Sequence, residues 1–177
     1  VVGFIGRMDE EKNIRTLATV AKQLPDDITF RFVGDGGLRS WLESELADEI
    51  QAGSVETMGW VDHDQVATEL NRLKLLVLPS EPTEGLPTTI LESLACGTPV
   101  YATSVSGVPD VLRDGETGFL MKSNREAAIC TNILEILGRD DLNRVSANGR
   151  ELICEEYSFA AAVDRYRTIL NHISAPE

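Results

Sequence analysis

The sequence is poor in the residues that carry most side-chain chemistry. Its two histidines, His63 and His172, have no Ser, Cys or Asp partner in a recognisable catalytic arrangement, so neither is assigned a role. Cys96, Cys130 and Cys154 are odd in number, widely spaced and unaccompanied by His. They exclude a disulfide framework and a zinc site and read as reduced, packed thiols of a cytosolic protein. No apolar run approaches the ~18 residues of a membrane span, no signal peptide is recognisable, and there is no internal repeat, linker or low-complexity stretch. Positive charge is also scarce: 16 Lys and Arg face 29 Asp and Glu, a net charge of −13. That balance argues against nucleic acid or an anionic membrane as a partner. A small anionic ligand remains open, because charge beyond ~8 Å is screened and a few local cations decide.

What is present is the mix of a folded protein, 42% hydrophobic and 25% charged residues, in a chain expected to form one domain that buries ~70% of its unfolded surface. Strand-like runs alternate with helical patterns. Strands are expected at residues 1–5, 29–33, 55–58, 75–78, 100–102 and 119–121. Helical spacing appears at Leu17, Val20, Ala21 and Leu24, from Leu38 to about Ala52, and from about Asp64 to Leu73. Three more helices crowd the end of the chain: Glu126 to Leu137, Asp140 to about Glu155, and Ser158 to about Ile173, the last with Ser158 as its cap.

Six short strands separated by helices predict an α/β, Rossmann-like three-layer sandwich. Its parallel sheet has strand order 3-2-1-4-5-6, helices on both faces and extra C-terminal helices. In that order the first and fourth strands are neighbours whose exit loops diverge at the switch point, where ligands bind. The two most distinctive loops therefore flank one crevice: Gly6-Arg7-Met8-Asp9-Glu10-Glu11-Lys12, and the stretch from Glu84 to Thr88. The chain opens at once on a buried-type strand without an initiator Met, which suggests a domain excised from a longer protein.

Glu84 and Glu92 stand eight positions apart in Ser80-Glu-Pro-Thr-Glu84-Gly-Leu-Pro-Thr-Thr-Ile-Leu-Glu92. A helix starting near Pro87 would turn its free N–H groups to the loop's mouth, where anions are favoured. Glu84 would then sit at the rim and Glu92 about one and a half turns along the helix. Arg7 and Lys12 are either solvated surface charges or, beside such an anion site, ligands of a pyrophosphate. Val33-Gly34-Asp35-Gly36-Gly37 has too few correctly spaced glycines for a dinucleotide fingerprint. It is a strand-exit turn or a place where backbone approaches a base or ribose. Trp60, in Gly59-Trp60-Val61, is a core or rim aromatic or a stacking platform. Ser106 to Asp110 reads as a capped short helix, and Asp114 to Phe119 as a turn into the sixth strand.

Together, Gly6-Arg7 with Lys12, Val33-Gly34-Asp35-Gly36, Glu84-Gly-Leu-Pro…Leu91-Glu92, Ala95-Cys-Gly-Thr-Pro-Val100 and Thr117-Gly118-Phe119-Leu120 resemble the retaining glycosyltransferases of family 4. These are the "group 1" enzymes of the two-domain GT-B fold, and the resemblance covers their C-terminal, donor-binding half. It implies a nucleotide-diphosphate sugar as donor, no cofactor and no metal, with no Asp-x-Asp cluster standing ready to hold one. Arg7 and Lys12 match the pair on the donor diphosphate, and Glu84 the glutamate facing the donor sugar. Gly85, Leu86, Pro87, Thr88 and Thr89 match the loop whose N–H groups hold sugar hydroxyls and phosphate. Glu92 matches the ribose ligand, while Gly6, Gly34, Asp35, Trp60 and Val61 line the substrate side. The loop insert is poorer in glycine than usual, Ser106-Gly107 replaces a Gly-Gly pair, and Asn13 follows Lys12 where Gly is frequent, a minor change.

The resemblance further implies retention at the anomeric carbon, an acceptor site on an absent N-terminal domain, and an enzyme that is cytoplasmic or peripheral at the membrane. Two alternatives stand beside it. A sugar-nucleotide epimerase of the same architecture would need acid–base residues that the crevice loops do not offer. A non-catalytic nucleotide-sugar-binding module is countered by intact Arg7, Lys12, Glu84 and Glu92.

Overall fold

A computed structural model describes residues 1–81 and 85–174, the side chains of His172 and Ser174 excepted. The six strands are β1 (Val2–Ile5), β2 (Phe30–Val33), β3 (Val55–Met58), β4 (Leu75–Leu78), β5 (Val100–Thr103) and β6 (Phe119–Met121). All pair in parallel, in the order β3-β2-β1-β4-β5-β6 expected from the sequence. β1, β2 and β4 are buried at every position. That follows from apolar runs with helices over both faces.

The helices are α1 (Ile14–Gln23), α2 (Arg39–Glu45), α3 (Ala47–Ala52), α4 (His63–Leu70), α5 (Thr88–Cys96), α6 (Val108–Val111), α7 (Glu126–Leu137), α8 (Leu142–Glu156) and α9 (Phe159–Ser174), with a 3-10 turn at Glu10–Lys12. The single helix expected from Leu38 to Ala52 is two. At Leu46 the backbone leaves helical values (φ −106°, ψ 20°). The bonds Leu46 N–H to Leu42 and Ile50 N–H to Leu46 nevertheless continue across the bend. The bend keeps Leu42 and Leu46 fully buried with Ile50 packed against them. Ser158 does cap α9, its hydroxyl accepting the Ala161 N–H at 3.2 Å.

The thiols divide in a way that spacing alone does not show. Cys130 is buried and Cys96 half-buried, but Cys154 is exposed rather than packed. Burial pushes the Cys96 and Cys130 thiols above their ordinary pKa.

Charge enters the core at Arg31, in the middle of β2. Its Nε donates to Glu69 Oε2 of α4 at 2.8 Å, and its Nη1 pairs with Glu56 of β3. Burial pulls the guanidinium pKa down, but hydrogen bonds to Glu69 and Glu56 outweigh it, and the net direction is upward. At the far end, α8 lies against α5 and the β6 approach so closely that a Cβ on Gly149 would come within 2.7 Å of the Thr117 carbonyl oxygen. α9 carries Phe159, Tyr166, Ile169, Leu170 and Ile173 at helical spacing, all exposed. Among the described residues, no helix is long and apolar enough to cross a membrane.

Candidate functional site

The β1–β4 ladder is short. It pairs Val2 with Leu75 and Gly3 with Leu76. Beyond those pairs the two strands part, and a cleft of about 170 Å³ opens at their carboxyl ends. Ile5, Gly6 and Arg7 line it from β1, Val33 to Asp35 from β2, Trp60, Val61, His63 and Val66 from the β3–α4 segment, and Thr89 and Glu92 from α5.

The β1 and β2 exits fit because neither has a side chain at the crossing. A Cβ on Gly34 would stand 2.0 Å from the Gly6 carbonyl oxygen, and Gly34 has φ +130°, where L side chains are strained. Any residue larger than glycine there would displace the β1 exit and Arg7 with it.

Charge is distributed unevenly around the cleft. Arg7 is 67% exposed and folds onto its own loop, 3.0 Å from Asp9 and 3.8 Å from Glu11. Pairs this exposed contribute little. Lys12 is only 9% exposed, within the 3-10 turn that leads into α1. Asp35 caps the Gly36 N–H at 2.8 Å and pairs with Arg39 at 3.2 Å. Hydrogen bonds to Glu43 and then Asp35 raise the Arg39 pKa. Asp35 is therefore held by its neighbours rather than turned wholly to the cleft.

α5 begins where the sequence places it, with Pro87 as N-cap. No side-chain cap and no first-turn acid is present among the described residues. A helix start of this kind favours negative charge.

A larger hollow of about 580 Å³ lies at the opposite end of the sheet, among Val1, Asp27, Lys74, Arg139 and Asp140. Size does not decide between the two. In open α/β sheets ligands bind beyond the carboxyl ends of the strands, where the order reverses. Only the smaller cleft meets that condition.

Comparison with known proteins shows the family and the fold. The profile described as "Glycosyl transferases group 1" matches residues 1–139. The chain belongs to this family. It is 28% identical over 172 residues to an uncharacterised glycosyltransferase of Methanocaldococcus jannaschii, covering 97% of this chain and 48% of that protein. Its fold matches HepE of Anabaena, solved in complex with UDP-glucose, with TM-score 0.81 at 19% identity, covering 97% of this chain and 48% of that one. It also matches the C-terminal domain of a group 1 glycosyl transferase from Francisella tularensis, with TM-score 0.76 at 21% identity, covering 89% and 86% of the two chains. The chain spans about half the length of the curated relatives it matches.

Within this group 1 glycosyltransferase chain, the cleft brings together Gly6, Arg7, Gly34, Asp35, Trp60, Val61, Thr89 and Glu92 of the residues expected from sequence. Lys12, Leu86, Pro87 and Thr88 are not on its wall, nor is Gly85, which is exposed. Glu84 lies outside the described residues. Trp60 is a rim residue, 74% exposed, and not part of the core.

Asp62-His63-Asp64 does spell an Asp-x-Asp triplet beside the cleft. Among the described residues, however, no group of three His, Cys, Asp or Glu could hold a metal ion. His63, given no role above, has its Nδ1 3.8 Å from Glu92 Oε1 on the cleft wall. Its partner is 29 residues away, and no local motif signals that pair.

Proposed function

We propose that this chain is the C-terminal, donor-binding half of a retaining GT-B glycosyltransferase. The full-length enzyme transfers a hexosyl group from a nucleoside-diphosphate sugar to an acceptor. One observation carries the reading: glycine-permitted backbone at Gly6 and Gly34, the Arg7 cation and the helix carrying Thr89 and Glu92 line one cleft.

Cleaving the bond between the anomeric carbon and the diphosphate builds negative charge on the leaving group. Arg7, Lys12 and the α5 N-terminus are the groups that meet it, without a metal, and preorganised donors of this kind each contribute ~3 kcal/mol. The N–H groups from Gly85 to Thr89 hold phosphate and sugar hydroxyls. Glu92 accepts from the ribose hydroxyls, and Glu84 faces the donor sugar. The acceptor attacks the face that the diphosphate leaves, so configuration is retained.

A cleft of about 170 Å³ is smaller than the ~300 Å³ at which small-molecule pockets begin. It covers part of a nucleotide sugar, and the remainder needs a second wall. The uncovered apolar stripe of α9 supports the same view, offering a surface on which an N-terminal acceptor domain can rest. The enzyme works in the cytoplasm, at most peripheral to the membrane.

Calorimetry of this chain against uridine, guanosine and adenosine diphosphates tests the proposal. Saturable binding of at least one is expected. A folded chain that binds none of them contradicts it.

A further inference from the structure

Above the Gly3–Leu76 pair, where the β1–β4 ladder stops, two hydrogen bonds still cross the crevice. The Glu81 N–H donates to the Glu11 carbonyl oxygen at 2.8 Å. The Asn13 side-chain amide donates to the Pro79 carbonyl oxygen at 2.6 Å, across 66 positions of sequence. Lys12 lies between these two stitches.

Asn13 also has left-handed backbone, φ 53° and ψ 39°, and so ends the 3-10 turn and opens α1. Its N–H donates to the Glu10 carbonyl oxygen at 2.9 Å and its carbonyl accepts from Leu17 at 3.1 Å. Few residues serve both needs. Glycine adopts the left-handed region but has no side chain, and most L residues strain there. Aspartate tolerates the backbone, but its carboxylate cannot donate to a carbonyl oxygen. Asparagine at this position is therefore more than a tolerated replacement for glycine.

We propose that Asn13 is a positioning residue: bonded to Pro79 across the crevice, it fixes the turn that carries Lys12 against the β4 exit, so that the ammonium meets the terminal phosphate of the donor's diphosphate. This rests on the diphosphate-binding reading above. Lys12 acts on charge, and its contribution falls away when the turn shifts by about an ångström.

The test is calorimetric, on this chain, with the di- and monophosphates of uridine, guanosine and adenosine. The readout is the ratio of monophosphate Kd to diphosphate Kd for whichever base binds. That ratio isolates the terminal phosphate. Asn13→Gly, which keeps the backbone and loses the strut, lowers the ratio about fivefold or more. Asn13→Asp lowers it further, its carboxylate facing a carbonyl oxygen, and serves where the glycine variant folds poorly. In a Lys12→Ala background neither substitution changes the ratio again.

A role confined to stability would weaken both ligands equally. An unchanged ratio in both variants, or an undiminished fall without Lys12, overturns the proposal. Wild-type protein with no preference for diphosphate over monophosphate would overturn the reading of the site itself. A wild-type preference that survives in Asn13→Gly and Asn13→Asp overturns only the role of Asn13.

Discussion

Lys12→Ala in the full-length enzyme lowers kcat by about 10²–10³-fold, the scale for removing one preorganised donor from a developing anion. The donor KM changes far less, because charge on the diphosphate grows most as the glycosidic bond breaks. Two features of its surroundings give Lys12 the larger expected effect of the two cations. It is 9% exposed against 67% for the Arg7 side chain, so its charge acts through less water. It also stands in a turn tied to the β4 exit, whereas Arg7 is paired with Asp9 and Glu11 of its own loop. Steady-state kinetics with the donor varied measures the effect, and unchanged turnover removes Lys12 from the mechanism.

The second large effect is on stability. Glu69→Ala leaves Arg31 buried in the central sheet with only Glu56, about half exposed, as its carboxylate partner. Breaking one side of a buried pair costs about 3–5 kcal/mol. For a chain of this size that lowers Tm by about 6–20 °C. Replacing both partners, as Arg31→Met with Glu69→Leu, costs much less, since no uncompensated charge stays inside. Urea unfolding of the three proteins measures the difference. A Glu69→Ala loss below about 1 kcal/mol would mean that solvent reaches Arg31 when its partner is gone.

The sheet was legible because its signal is local. Four-residue apolar runs such as Leu75 to Leu78 mark buried parallel strands, and alternation with helical spacing leaves few topologies. The same holds for α7, found at the expected Glu126–Leu137, where Ile129, Ile133 and Ile136 form a stripe. The break at Leu46 was not legible. Leu42, Leu46 and Ile50 keep the spacing of one continuous helix, and only packing on the core bends the backbone between them.

In the site, the glycines and the α5 start were readable from punctuation: a strand, a glycine, then a proline before a helical run. The pairs that cross the molecule were not. Asn13 with Pro79, His63 with Glu92 and Arg31 with Glu69 are separated by many residues. Each member alone has an ordinary reading as a surface or helix residue.

The central claim is that the nucleoside diphosphate binds at the diverging β1 and β4 exits. Amide chemical-shift mapping of this chain during titration with the diphosphate that binds tests it most directly. The account predicts shifts at Gly6, Arg7, Gly34, Val61, Thr89 and Glu92. Shifts gathered instead around Lys74, Arg139 and Asn143, at the opposite end of the sheet, would contradict it.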